Sequence, residues 1–216
     1  MAEIKQLKDP VSRRRFLAVG GSTTAVAAFL AACGDDSGTT TSTDSMSSGS
    51  GASETAEFGK GDVGILNYAL TLEYLETAFY ADVVKSGLFK GAELETIRKF
   101  GAEEAEHVEA LKAAVKQLGG KPALEPKAEF PLKNAKSVLE LAGTVENLGA
   151  AAYLGQAANI QSPEVLASAL AIHSVEGRHA AVLNTLLGES ITPDGAFAKP
   201  ADVQTVLKSV EPFLVG

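Results

Sequence analysis

The sequence of 216 residues contains one cysteine, no tryptophan and only three histidines. A single cysteine excludes both an intramolecular disulfide and the paired-cysteine motifs of zinc sites. Basic residues are also few: 19 lysines and arginines stand against 27 acidic residues, and no basic stripe follows residue 15. This balance argues against nucleic acid as a partner. The sequence has neither a P-loop nor a Rossmann fingerprint.

The N-terminal region lacks a membrane-spanning segment but resembles an export signal. The apolar run 17–32 is short and diluted by glycine, serine and threonine, whereas a membrane span needs about 20 strongly apolar residues. Ser12-Arg13-Arg14-Arg15-Phe16-Leu17 resembles the signal for twin-arginine export. Leu30-Ala31-Ala32-Cys33 resembles the bacterial lipoprotein box. We therefore expect residues 1–33 to be a signal that ends in a lipidated Cys33, which anchors a cell-envelope protein outside the cytoplasm. The alternative is a free thiol at Cys33 in a leader that is uncleaved or cleaved elsewhere.

Composition divides the rest of the chain into three parts. Residues 34–60 are rich in glycine, serine and threonine, which predicts a disordered tether. Residues 61–188 contain four segments with apolar residues at steps of three and four, which predicts an all-α fold of four helices. Residues 189–216 contain three prolines around a short predicted helix near 201–210.

The connection between the second and third predicted helices is long. Residues 121–136 contain three prolines and no helical period, and an extended chain of this length spans about 50 Å. It could therefore cross from one end of a helical bundle to the other. Ser137, with Glu140 three residues later, is predicted to cap the third helix.

Two of the three histidines follow a glutamate by three residues, in Glu104-x-x-His107 and Glu176-x-x-His179. Each pair is preceded, about 30 residues upstream, by a glutamate that lies seven residues before a tyrosine. These upstream pairs are Glu73 with Tyr80 and Glu146 with Tyr153. The chain therefore contains the same unit twice, spread over the four predicted helices.

Four carboxylates and two imidazoles in this order match the ligand set of a two-metal site inside a helix bundle. Residues three apart share a helix face, and the faces that carry Glu104 with His107 and Glu176 with His179 are otherwise apolar. Glu73 lies at the edge of the apolar face of its helix, with Glu76 on the same side. The alternative for the second helix is a solvated acidic face with one histidine. Tyr80 and Tyr153 are candidate hydrogen-bond donors or redox-active neighbours of the site, and ordinary core tyrosines are the equal alternative. His173 is interpreted as a neighbour of the site or a surface residue rather than a ligand.

These motifs, with Leu72-Glu73-Tyr74-Leu75-Glu76 and Phe79-Tyr80, resemble the ferritin-like superfamily and, within it, the exported proteins that include desiccation-associated ones. The resemblance implies a ferritin-like four-helix bundle with a long crossover between helices 2 and 3. It also implies two iron ions, or alternatively two manganese ions, as cofactors. The implied metal ligands are Glu73, Glu104, His107, Glu146, Glu176 and His179. The chain departs from some relatives in lacking a rubredoxin-like cysteine module, a nucleotide motif and a haem motif.

The expected function is that of an envelope-anchored di-metal protein that oxidises ferrous iron or detoxifies peroxide in stress protection. Whether it is an enzyme stays open, with ferroxidase, peroxidase and manganese-catalase-like activities as the candidates. The alternative is a non-catalytic metal-binding or structural helical-bundle lipoprotein. The expected partners are a membrane, through Cys33, and a small oxidant or metal-ion substrate. A lipid anchor fits poorly with a closed storage cage, because cage subunits must assemble symmetrically. A homodimer is a possible assembly.

Overall fold

A computed structural model describes residues 54–215, which form an all-helical fold and, across this range, no β-strand. The five α-helices are α1 (Gly61–Ser86), α2 (Gly91–Gln117), α3 (Ala135–Gln156), α4 (Pro163–Leu187) and α5 (Val203–Val210). Two short 3₁₀ helices, Ala157–Asn159 and Glu211–Phe213, follow α3 and α5. The helices of this described range are not long and apolar enough to cross a membrane. The predicted signal at residues 1–33, including Cys33, lies outside the described residues.

The first four helices form two hairpins joined by the predicted long crossover. The crossover starts beside the beginning of α1, where the Asn67 side chain bonds the Lys121 carbonyl at 3.1 Å and the Ala123 amide at 2.8 Å. It ends beside the other end of α1, where the Phe130 ring packs 5.2 Å from that of Phe79. The connection therefore runs the length of the bundle, and the predicted ferritin-like topology is confirmed.

The start of α3 differs from the prediction by three residues. Asn134, rather than Ser137, is the N-cap: its side chain accepts a hydrogen bond from the Ser137 amide at 3.0 Å. The Ser137 hydroxyl accepts in return from the Asn134 amide, so Ser137 completes the capping box from inside the helix. Asparagine and serine are both favoured at the N-cap position. The hydrogen bond from the Ser137 amide to the Asn134 side chain shows that Asn134 occupies it.

The packed part of the chain begins before Gly61, where the sequence placed the end of the tether. Thr55 is fully buried, and the Phe58 ring packs edge-on against Tyr68 of α1 at 5.6 Å. The Asn67 side chain also donates to the Phe58 carbonyl at 3.0 Å. The boundary at residue 60 was therefore several residues late, because Phe58 anchors a segment that is otherwise polar. The rest of the predicted tether, up to residue 53, lies outside the described residues.

Two apolar clusters lie on either side of a polar layer in the middle of the bundle. One cluster lies toward the start of α1, around Leu70 and Val115. A second lies toward the end of α1, around Phe79 and Val138. Glu73 and Glu76 lie between these two groups along α1 and are buried. The bundle thus places acidic side chains in its interior with apolar packing on either side.

The C-terminal segment packs on the flank of α1 and α3. Val203, Val206 and Val210 of α5 are buried against a cluster that includes Tyr68, Leu72 and Leu75. The Ala201 amide donates to the Ala151 carbonyl at 2.9 Å, and Glu129 in the crossover bonds the Phe213 carbonyl. The short helix predicted near 201–210 is present at 203–210, and it covers the side of the bundle.

Gly155→Ala is expected to destabilise the fold, because the added Cβ would lie 2.0 Å from the Ala201 carbonyl oxygen. Relief requires the C-terminal segment to move, and such overpacking costs roughly 1–3 kcal/mol or more. The matched control is Gly177→Ala, where nothing lies within 4 Å of the added atom. The control should be neutral or stabilise by about 0.5–1 kcal/mol. Urea unfolding of both variants measures the difference, and equal midpoints would contradict the close approach.

Candidate metal centre

All six residues that the sequence singled out as ligands meet in one interior cluster. Each helix of the bundle supplies one fully buried glutamate, and α2 and α4 each add a histidine. The cluster consists of Glu73 from α1, Glu104 and His107 from α2, Glu146 from α3, and Glu176 and His179 from α4. Every glutamate lies on the stripe of its helix that faces the core. The alternative of a solvated acidic face does not hold for these positions.

The cluster divides into two overlapping groups of potential ligands. Glu73, Glu104, His107 and Glu176 form one group, which we call site A. Glu104, Glu146, Glu176 and His179 form the other, which we call site B. In each group one candidate ligand atom per residue lies within 4.8 Å of the others. Because Glu104 and Glu176 belong to both groups, they are positioned to bridge two ions, while each site keeps one glutamate and one histidine of its own.

Both imidazoles turn the Nδ1 atom toward the carboxylates. Nδ1 of His107 lies 2.8 Å from Glu104 and 3.2 Å from both Glu73 and Glu176. Nδ1 of His179 lies 2.8 Å from Glu104 and 3.2 Å from Glu146. One nitrogen therefore faces two or three carboxylates in each site, which is the arrangement of atoms that surround a common cation.

The outer nitrogens of the two histidines differ in their surroundings. Nε2 of His179 lies 2.8 Å from a Glu103 carboxylate oxygen, and its ring stacks on Phe100 with centroids 4.1 Å apart. The His179 side chain is 3% exposed, whereas that of His107 is 13% exposed. A carboxylate on the outer nitrogen fixes the orientation and tautomer of a metal-binding imidazole. His179 in site B is therefore held by more contacts than His107 in site A.

Glu103→Ala is expected to weaken metal binding at site B more than at site A. Loss of the carboxylate that orients a ligating histidine typically lowers affinity by about 10–100-fold. Titration of the metal-free protein with manganese, followed by calorimetry, measures the two affinities. Glu103→Gln, which retains a hydrogen-bond acceptor, should recover part of the loss. Glu106→Ala, at an exposed position of the same helix, is the control; equal weakening of both sites by Glu103→Ala would contradict the orienting role.

The two tyrosines bind carboxylates of the opposite hairpin. The Tyr80 hydroxyl of α1 donates to Glu146 of α3, and the Tyr153 hydroxyl of α3 donates to Glu73 of α1 at 2.5 Å. Each tyrosine follows a glutamate of its own helix by seven residues, but its hydroxyl bonds the equivalent glutamate of the other unit. Burial, together with the nearby carboxylates, raises the pKa of both hydroxyls well above the usual value. Both tyrosines therefore remain neutral donors that orient one glutamate of each site.

Burial sets the charge state of the cluster. It raises the pKa of Glu73 to about 7, and it also raises the pKa values of Glu146 and Glu176. Burial acts in the same direction on Glu104, but a hydrogen bond from His107 and the charge of the nearby His179 outweigh it and lower the pKa of Glu104 to about 2. Burial opposes the charged form of the histidines, yet the carboxylates raise the pKa of His107 to about 12 and that of His179 to about 11. In the absence of metal, protons on these groups compensate part of the buried negative charge.

Several carboxylate oxygens in the cluster lack a hydrogen-bond partner. They are Oε1 of Glu104 and both carboxylate oxygens of Glu176. Two of these atoms lie close to a histidine Nδ1, at 2.8 Å for Glu104 and 3.2 Å for Glu176, but without the alignment that a hydrogen bond needs. A buried polar oxygen that lacks a hydrogen bond costs about 1–3 kcal/mol. The orphaned atoms belong to the two residues shared by sites A and B, so the donor set fits two cations bridged by these glutamates.

A fifth buried carboxylate, Glu76, was not among the predicted ligands. It is 3% exposed, and burial followed by repulsion from Glu176 raises its pKa well above the usual value. Its position three residues after Glu73 indicated a shared helix face, but spacing does not show how close an opposite helix comes. His173 bonds the Ala150 carbonyl at 3.0 Å and is in neither metal-binding group.

Comparison with known families identifies the class of protein. The model of a family described as "Ferritin-like domain" matches residues 61–189. Since the match covers more than half of the 216 residues, the chain belongs to this ferritin-like family, as its fold and its buried cluster of glutamates and histidines indicate. The search of curated proteins finds no significant match. The resemblance to the ferritin-like superfamily is confirmed, and the exported, desiccation-associated type remains a prediction.

Proposed function

We propose that this protein is an envelope-anchored di-metal carboxylate protein that oxidises ferrous iron or detoxifies peroxide. The single observation that carries the proposal is the pair of four-residue groups that share Glu104 and Glu176. A cluster built to hold one ion has no need of two histidines on opposite sides of two common carboxylates. Two irons are the proposed cofactors, with two manganese ions as the alternative, because imidazole and carboxylate together suit both metals.

The charge of the cluster supports cation binding. Five buried glutamates face two histidines, and no lysine or arginine of the described chain forms an ion pair with any of these five carboxylates. Two divalent ions would compensate most of this charge in a region where repulsion is poorly screened. Metal binding would thereby stabilise the bundle as well as prepare it for reaction.

The residues of the chain would perform three tasks. Glu104 and Glu176 would hold both ions at a fixed separation, and the Nδ1 atoms of His107 and His179 would orient one ion each. The hydroxyls of Tyr80 and Tyr153 would hold the carboxylates of Glu146 and Glu73 in place, and as neighbours of the centre they are candidates for a catalytic role. The apolar clusters on either side would limit access of water. Two iron or manganese ions would supply the electrons exchanged with a small oxidant.

The proposal places the bundle at the cell envelope through Cys33. The twin-arginine and lipoprotein-box motifs support export and lipidation. Expression of the full chain in a bacterium that has both pathways, followed by mass spectrometry of the mature N-terminus, tests this part. A diacylated cysteine in the membrane fraction, lost in Cys33→Ala, is the expected result. A soluble, unmodified mature protein would contradict the anchor while leaving the metal centre untouched.

Elemental analysis of the purified protein, beside a Glu104→Ala/His179→Ala variant, tests the metal centre. We expect about two iron or manganese ions per chain, as the two-site geometry requires, and loss of both ions in the variant. Ferrous oxidation with dioxygen and consumption of peroxide are then measured on the loaded protein. Turnover supports an oxidoreductase, whereas tight stoichiometric metal without turnover supports the non-catalytic alternative. The absence of metal after loading with both ions would overturn the proposal.

A further inference from the structure

A small apolar pocket lies on the flank of the bundle, between α1, α3 and the C-terminal segment. Its walls are leucine, valine and phenylalanine side chains, among them Leu75 of α1, Leu148 of α3, Val206 of α5 and Phe213. It has room for about one molecule the size of water. The C-terminal segment, which supplies no residue to sites A and B, forms its outer wall. The segment therefore shapes an apolar space beside the bundle.

The inner end of this pocket is formed by Glu76, the buried carboxyl group beside the candidate metal centre. Among its lining residues Glu76 is the one with an ionisable side chain, and Gly149 lies beside it. A Cβ atom at Gly149 would lie 2.9 Å from Oε1 of Glu76 and 3.2 Å from Oε2 of Glu176. Glycine thus lets the carboxylates of Glu76 and Glu176 approach the backbone of α3 at the same point. A molecule at this end of the pocket would lie next to Glu76, and the Glu76 carboxylate lies beside that of Glu176, which belongs to both sites.

We propose that this pocket binds dioxygen and leads it to the metal centre. This inference rests on the proposed function, since it names the oxidant of the same centre. An apolar wall offers no replacement for the water around a ferrous ion, so a hydrated cation would lose several kcal/mol on entry. Hydrogen peroxide would likewise lose hydrogen bonds there. An uncharged, apolar diatomic molecule meets neither cost.

Polar residues of the candidate metal centre are partly exposed on α2, away from this pocket. His107 is 13% exposed, and Glu103, which contacts His179, is 34% exposed. Both residues belong to α2 and lie on a face that the C-terminal segment does not cover. The two surfaces therefore differ in polarity: one admits charged species beside site ligands, and the other admits only apolar ones.

Paramagnetic relaxation by dissolved dioxygen tests the pocket without any redox reaction. The metal-free full chain is labelled at leucine and valine methyl groups, and their relaxation is compared under nitrogen and under oxygen. Methyls of Leu72, Leu75, Val206 and Val210 should relax more under oxygen than those of Val108, Leu111 and Val165, which are buried to a similar degree in the cluster around Leu70. Equal relaxation of both sets would overturn the proposal. This result does not depend on metal binding.

A matched pair of variants tests the route in the loaded protein. Leu148→Phe narrows the pocket, and Leu139→Phe places the same substitution at another half-buried position of α3, in the cluster around Phe79. Leu148→Phe should raise the KM for dioxygen in ferrous oxidation several-fold and reduce the oxygen effect on the pocket methyls. Leu139→Phe should change neither. Both variants should bind as much metal as the unaltered protein.

Two outcomes separate this inference from the proposed function. In one outcome, dissolved dioxygen no longer relaxes the pocket methyl groups of the Leu148→Phe variant, but the variant oxidises ferrous iron with an unchanged KM for dioxygen. The proposed route is then wrong, and the proposed metal centre is unaffected. If all variants bind metal but none turns over, and the pocket methyls show no oxygen effect, the inference and the proposed oxidation both fail. A peroxide reaction slowed as much as the dioxygen reaction would also overturn the selectivity for dioxygen.

Discussion

Glu176→Gln is expected to lower the affinity for both metal ions by at least about 100-fold, because breaking a buried ion pair costs roughly 3–5 kcal/mol. Glu176 belongs to both sites, and both of its carboxylate oxygens lack hydrogen bonds in the cluster. The amide keeps the volume of the side chain but removes the negative charge that two cations would share. Calorimetric titration of the metal-free protein with manganese measures the effect.

The histidine variants should behave differently from the bridging one. His107 belongs to site A alone and His179 to site B alone. His107→Ala and His179→Ala should therefore each retain about one ion per chain, whereas Glu176→Gln retains none at the same metal concentration, as expected for bridging ligands in a two-metal bundle. Glu109→Gln, at a position 70% exposed on α2, is the control and should bind two ions. Loss of both ions in all three site variants would point to a single shared ion instead.

The second large effect is an inverse dependence of metal-free stability on pH. Burial raises the pKa of Glu73 from 4.5 to about 7, so the folded protein holds a proton that the unfolded chain releases. The free energy of unfolding then falls as pH rises through this range, by on the order of 3 kcal/mol for this group. The carboxylates raise the pKa values of His107 and His179 to about 12 and 11, so their contribution is lost at still higher pH.

Glu104 changes the free energy of unfolding with pH in the opposite direction. Burial raises the pKa of Glu104, but the two neighbouring histidines outweigh burial and lower this pKa from 4.5 to about 2, so its contribution to stability is complete above pH 4.5 and is lost below it. The metal-free protein should therefore be most stable near pH 5 and should lose Tm toward about pH 9. Calorimetric unfolding scans across this range measure the trend. A Tm that rises with pH would contradict the assigned charge states.

Metal should reverse this trend. Ligands must lose their protons to bind a cation, so affinity rises with pH. The increase in Tm that saturating manganese produces should therefore grow from about pH 5 to pH 8, because a ligand stabilises in proportion to the logarithm of its concentration over Kd. The same scans with the Glu176→Gln variant serve as the control and should show little increase at any pH.

The six candidate ligands were predictable because each satisfies a local rule. Glu104 and His107 share a helix face by their spacing, as do Glu176 and His179. The upstream glutamates, Glu73 and Glu146, repeat at about the same distance from each pair. Four amphipathic segments of similar length, with one long connection, leave few ways to bury these faces other than a four-helix bundle.

The features that the sequence did not predict depend on how closely the helices approach one another. The packing of α1 against α3 brings Tyr80 to Glu146 and Tyr153 to Glu73. No spacing within one helix encodes these two contacts. Glu76 is buried because Gly149 leaves room opposite it. Phe58, a lone aromatic in a polar stretch, folds back on Tyr68. Each of these contacts joins residues that are far apart in the sequence or that lack a local pattern.

Anomalous X-ray diffraction from crystals grown with manganese or with ferrous iron tests the central claim most directly. We expect two peaks per chain, about 3.5–4 Å apart as in other two-metal sites. Both peaks should contact Glu104 and Glu176, with one near Nδ1 of His107 and the other near Nδ1 of His179. A single peak, or peaks confined to the protein surface, would contradict a two-metal centre in this bundle.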